Sequence, residues 1–168
     1  MLYRVFNEND YDDLRALDLE VLRFETPGFD ALPEREREGR TRTSLAALRF
    51  FERSEHSFVA EQDGLLAGAI FAQSVWQGDR PIVLVSRLWV RPGLQDQDPA
   101  VALEVARGLL KVCSKSAYDA AIYELHLAVP DELQAAAALE EFRTPGRYAV
   151  RYLGSRSETA PGSRLSGE

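Results

Sequence analysis

Three side chains have types and spacings that suit proton transfer or anion capture: Arg87, Glu124 and His126. Glu124 and His126 stand two apart in IYELHLAV, so on an extended strand they project from one face, where a carboxylate beside an imidazole makes a base or a proton relay. The alternative is a pair that flanks solvent or a backbone carbonyl at the strand end. Arg87 lies in VLVSRLWV, apolar surroundings in which an unpaired guanidinium is costly, so it must meet a carboxylate or line a wet cavity. Glu124 is one candidate partner, and a substrate carboxylate is the other.

A further feature is the segment VRPGLQDQDPAVALEVARGLL at 90–110: a strand end, a short polar loop, and an amphipathic helix opening at Asp98-Pro99. Strand, loop and helix in this order cradle anions, because the first-turn N–H groups and the helix dipole point at the ligand. Here Asp96 and Asp98 stand in the loop. Asp is a favoured N-cap and Pro a favoured first helical residue, so the Asp98 carboxylate competes with an incoming phosphate for the same N–H groups. Arg91, Arg107, Lys111 and Lys115 are the nearby cations, either turned toward a phosphate tail or lining an exposed helix face. Tyr118, Tyr123, Tyr148 and Tyr152 are potential proton donors, although tyrosines at strand spacing commonly pack with the hydroxyl at the rim. Trp76 and Trp89 either wall a ligand pocket or pack. His56, His126 and Cys113 show no metal-ligand spacing, and the chain has no P-loop, nucleophile elbow or G-x-G-x-x-G motif.

The elements that must position these groups follow from periodicity. YRVF at 3–6 alternates as a short strand; Asp10 and Asp13 open a helix with Leu14, Leu17, Val21 and Phe24 on one stripe. The charged connection at 25–43 is long enough to be partly helical, mobile or functional. Ser44 starts a second helix burying Leu45, Leu48 and either Phe51 or Phe50. Two apolar runs then flank Asp63-Gly64, a hairpin signal, because a type I′ turn needs positive φ at both central residues. IVLVSRLWV at 82–90 is apolar on both faces, as a central strand is. The helix at 98–118 carries Val101, Val105, Leu109 and Val112; a strand at 122–129, an alanine-rich helix at 131–142 and a last strand at 147–154 follow. This order gives an α/β (α+β) fold with a mixed sheet, in one domain at 1–153 with a polar tail at 154–168. There is no internal repeat.

Of the 168 residues, 45% are hydrophobic, enough for one full core. A net charge of −7 argues against a nucleic-acid or anionic-membrane surface, so any anion is held locally. The lone Cys113 cannot form an internal disulfide, and the N-terminus lacks the apolar run of a signal peptide; a cytoplasmic protein is expected.

The element order over 1–153, and above all SRLWVRPGLQDQDPAVALEVARGLL, resembles the GNAT acyltransferases: a strand ending in L-x-V-x-P, a pyrophosphate loop Q/R-x-x-G-x-G/A, and the helix behind it. Gln95 and Ala100 match that loop's first and last positions, and Asp98 stands at its middle glycine. SLAALRFFERSEHSFVAE, AQSVWQG and KSAYDAAIYEL are also similar to a small bacterial group of GNAT-like proteins without an assigned function.

The resemblance implies a mixed central sheet flanked by helices on both faces, acetyl-CoA or another acyl-CoA as cosubstrate, and a small-molecule or peptide amine as acceptor. It implies backbone bonds from Leu88, Trp89 and Val90 to the pantetheine arm, with Gln95, Asp96, Gln97, Asp98, Ala100 and Val101 around the pyrophosphate. The family's usual glutamate base, its tyrosine acid and its asparagine are replaced by Arg87, Ala137 and Pro130-Asp131, which leaves Glu124 and His126 as substitutes. The acceptor is expected beside the 25–43 connection and Arg87. The alternative is a GNAT-like domain without catalysis, a binding or regulatory module acting through a homodimer.

Overall fold

The computed structural model describes residues 1–146; the expected strand at 147–154 and the tail lie outside them. Five strands form one sheet in the order β1 (Leu2–Val5), β2 (Phe58–Gln62), β3 (Leu65–Gln77), β4 (Arg80–Val90) and β5 (Leu125–Leu127). The first four pair antiparallel, and β5 joins β4 in parallel. Asp63 and Gly64 both take positive φ in the β2–β3 turn, as the Asp-Gly signal requires.

Helices cover both faces. On one, α5 (Pro99–Asp119) lays Val105, Leu109, Leu110 and Cys113 against Ile70, Val83, Val85, Leu88 and Val90. Gly68 lets α5 approach, since a Cβ there would crowd the Trp89 carbonyl and Val105. On the other face, α1 (Tyr11–Glu25) and α3 (Leu45–Glu52) bury Leu14, Leu17, Val21, Leu48 and Phe51 over Val59, Phe71 and Trp89. Phe24 and Leu45, expected in the core, are exposed, as is Phe50; Phe51 is the phenylalanine that packs.

Three expectations are corrected. Asp10 does not pair with Asp13: its carboxylate accepts from the Asn7 N–H at 2.9 Å and from Arg4, closing a capping box one turn earlier. The polar segment after β4 is a short helix, α4 (Pro92–Gln97), rather than an open loop. The strand at 122–129 contracts to Leu125–Leu127, and the helix after it to a 3-10 turn plus α6 (Gln134–Leu139). The 25–43 connection is partly helical, with a 3-10 turn at Phe29–Ala31 and α2 at Glu34–Arg40.

One irregularity positions the site. β4 pairs Val85 with Ala72 and Arg87 with Phe71, so Ser86 is an extra, bulged residue. Val83 and Val85 face α5 before the bulge, Leu88 and Val90 after it. Arg87 is thereby turned to the α1 face together with Trp89. The β4–β5 ladder ends at this level: its pairs are Val83–Leu125, Leu84–His126 and Val85–Leu127, and residues 86–90 continue without β5 beside them.

Candidate functional site

The site is the gap where β4 outruns β5, bounded by the start of α5 and floored on one side by the α1 face. Along 86–90 the outward backbone N–H and C=O groups of β4 have no strand partner among the described residues. An extended polar chain can pair with such an edge. Leu88, Trp89 and Val90 lie on it.

At the mouth stands the N-terminus of α5. Asp98 is its N-cap: one carboxylate oxygen, Oδ1, accepts from Ala100 N and Val101 N, both at 3.2 Å. Pro99 at the first helical position has no N–H to offer. These bonds are long, they converge on one oxygen, and Asp98 is exposed. Asp96 and Gln97 end α4, also exposed, so the expected phosphate loop is occupied by helix and cap.

The flanking cations are committed elsewhere. Arg91 donates to the Leu66 carbonyl at 2.8 Å and to Glu20 at 3.0 Å. Arg107 donates to Glu140 at 2.8 Å, with Lys111 3.8 Å from the same carboxylate; Lys115 pairs with Asp119 one turn along the helix. The expected diphosphate position thus has the Ala100 and Val101 amides, both held by Asp98, and no free cation from these four.

Leu125 and Leu127 pack toward α5, so Glu124 and His126 share the opposite, α1 face with Arg87. His126 Nε2 lies 3.3 Å from Glu124 Oε2, both partly exposed. Glu124 also pairs with Arg80 at 2.7 Å and makes no ion pair with Arg87. The expected Arg87–Glu124 pair is therefore not formed. Arg87 Nη1 instead donates to the Arg42 carbonyl at 3.2 Å. Burial, then the neighbouring Arg42 charge, push the Arg87 guanidinium below its ordinary range, while Asp18 and Glu25 act in the other direction.

Asp18 anchors this corner. Fully buried, it accepts from Arg42 N at 2.6 Å, Arg42 Nε at 2.9 Å and the Thr43 hydroxyl at 2.9 Å. Arg42 reaches Glu25 at 3.0 Å and lies over the Trp89 ring, 4.8 Å from its centroid. The residues at 41–43 are thereby tied down over the α1 face. Asp18 and Arg42 were missed by sequence reasoning, although a carboxylate on the apolar stripe of α1, between Leu17 and Val21, signals a buried partner.

The side chains of the remaining candidates fall outside the gap. Trp89 is core, in edge contact with Phe71; Trp76 is exposed, as are Tyr118 and Tyr123, which contact each other. Ala137 is buried without a hydroxyl to give. His56 is held between Ser116 and Ser74 hydroxyls, each at 2.9 Å, and burial pushes its pKa down. Burial pushes the Cys113 thiol up to about 12. Tyr148 and Tyr152 lie outside the described residues.

The whole chain, residues 1–168, matches the family described as "Protein of unknown function (DUF1999)". The chain belongs to the DUF1999 family. The DUF1999 chain is 38% identical to TTHA1254 from Thermus thermophilus, over 92% of this chain and 99% of that one, with a TM-score of 0.70. Its fold is shared with acetyltransferases of low identity. One is AAC(6')-Iy in complex with a CoA-linked bisubstrate analogue (18% identity, TM-score 0.60, 89% of this chain and 95% of that one). Another is an acetyltransferase from Trypanosoma brucei (16% identity, TM-score 0.61, 89% and 97%). No curated protein matches the DUF1999 chain. The fold is the GNAT fold, a mixed sheet with helices on both faces. No helix of the described residues is long and apolar enough to cross a membrane.

Proposed function

We propose that this chain is an acyl-CoA-dependent N-acyltransferase that acetylates an amine. The observation that supports it best is the β4 edge at 86–90, without a strand partner among the described residues beyond the last residue of β5, with Val101 and Ala102 of the first turn of α5 in the same apolar cluster as Leu88 and Val90. Leu88, Trp89 and Val90 offer backbone groups to the pantetheine arm, and the amides of Ala100 and Val101 offer donors to the diphosphate once Asp98 releases them. When bound, acetyl-CoA supplies the acyl group as a thioester. The chain's own task is to take a proton from the acceptor ammonium and to orient the amine. With Nε2–H donating to Glu124, His126 keeps Nδ1 as the proton acceptor, and Glu124, fixed by Arg80, holds the ring. Similarity to acetyltransferases, one of them carrying a CoA-linked analogue, supports the same reading at the level of fold.

A second reading is favoured by the Asp98 cap and by Ala137, which has no hydroxyl for a leaving thiolate. On it the domain is a GNAT-fold binding module whose cofactor site its own helix cap has closed. Release of free thiol from acetyl-CoA, followed with a panel of amines, decides between the two. Amine-dependent release by wild type that is lost in His126→Ala supports the acyltransferase. Absence of release, with CoA stabilising only Asp98→Gly against heat, supports the module.

A further inference from the structure

The Ser86 bulge has an effect specific to Arg87. Unbroken alternation from Val83 and Val85 would send residue 87 toward α5 and into the apolar core; the extra residue turns it to the α1 face, where the ladder with β5 has just ended. There the guanidinium uses one of its N–H donors, toward the Arg42 carbonyl at 3.2 Å. The acids around it are already engaged. Asp18 accepts three bonds from Arg42 and Thr43, Glu25 takes Arg42 Nη1, and Glu124 takes Arg80. No carboxylate among the described residues pairs with Arg87. Its other donors are not sealed: among the described residues, the buried side-chain polar atoms without partners are Arg37 Nε and Arg42 Nη2.

A half-buried, permanently charged fork on the α1 face, with a second guanidinium beside it, is built for a planar anion that accepts two parallel bonds. We propose that Arg87 is a carboxylate clamp and that the acceptor amine therefore also bears a carboxylate, as an amino acid or a peptide C-terminal residue does. The inference rests on the acyltransferase reading for the amine, but the clamp itself is a matter of binding. Its place on the same face as His126 and Glu124 sets the carboxylate on the acceptor side of the sheet, opposite α5. Arg42, fixed by Asp18 and stacked on Trp89, is the positioning residue, because its main-chain carbonyl holds Arg87 in place.

The test uses matched pairs that differ only in the carboxylate: L-phenylalanine and phenethylamine, L-histidine and histamine, L-lysine and cadaverine. Binding to the full chain is measured by titration calorimetry with CoA present, and acetyl transfer in parallel. The expected result is that at least one carboxylated member binds roughly ten- to hundredfold more tightly than its decarboxylated partner, the range expected for charge-assisted hydrogen bonds. Arg87→Gln removes that preference. Arg87→Lys, which keeps the charge and guards against misfolding, reduces it. Equal binding of each pair, no binding by any member, or an unchanged preference in a folded Arg87→Gln protein overturns the clamp. A carboxylate preference without acetyl transfer upholds the clamp and refutes the acyltransferase; acetyl transfer without the preference does the reverse.

Discussion

On the acyltransferase reading, replacing Asp98 by glycine removes a carboxylate from the place a diphosphate would occupy, and the structure allows the size of the effect to be worked out. The cap consists of two bonds, each 3.2 Å long and both to Oδ1, on an exposed residue. Glycine is itself an acceptable N-cap, so the fold loses only a few tenths of a kcal/mol. The diphosphate gains twice. A like charge about 4 Å away costs about 1 kcal/mol in water, and that repulsion disappears. Two backbone donors also become free for charge-assisted bonds, each contributing about 1.5–3 kcal/mol before the cost of ordering the glycine. Less about 1 kcal/mol for ordering the glycine, the net gain is about 3–6 kcal/mol, or roughly a hundredfold or more in CoA affinity. Titration calorimetry of CoA and acetyl-CoA against wild type, Asp98→Gly and Asp98→Asn measures it. Asn keeps a capping oxygen and loses the charge, so it should recover only the electrostatic part, roughly fivefold. An Asp98→Gly protein that binds CoA no more tightly than wild type would refute the competition.

Other outcomes follow from the same structure. Asp18→Ala strands the Arg42 guanidinium and the Thr43 hydroxyl in a buried corner, and urea unfolding should show a loss of about 3–5 kcal/mol. His56 has its pKa lowered in the fold by burial, so between that value and the ordinary 6.5 the unfolded chain binds the extra proton. Stability should therefore fall as pH drops from 7 toward 5, and His56→Gln should flatten that slope; the contribution of Asp10, whose pKa Arg4 holds below 3.8, is lost only at more acid pH. Cys113, buried and with its thiol pushed up to about 12, should resist Ellman's reagent in the native protein and react at once in urea.

Much of the fold was legible because its signals are local. The Asp-Gly hairpin, the apolar stripe of α5 and the Asp98-Pro99 helix start each depend on a few neighbouring residues, and each appears where the sequence puts it. The site was less legible because it depends on register. Ser86 looks like an ordinary member of an alternating strand, and only pairing with β3 shows that it is the extra residue that turns Arg87 to the α1 face. Glu124 is a reasonable partner for Arg87 by charge, yet the parallel register sets it level with the start of β4, where Arg80 takes it. Asp18 and Arg42 meet across 24 residues of chain, a contact that no window of periodicity contains. The segment at 92–97 follows a family loop pattern only in part: Pro92 starts a helix that takes in Gly93, and Asp98, standing at the loop's glycine position, starts the next.

Acyl-CoA must lie along β4, beyond the last residue of β5, for the acyltransferase reading to hold. Amide chemical shifts of the wild-type protein, recorded during addition of acetyl-CoA to millimolar concentration, examine that directly. Saturable shifts of Leu88, Trp89 and Val90 together with Ala100 and Val101 are predicted. Unmoved amides at these five positions, or shifts confined to another part of the surface, would contradict it.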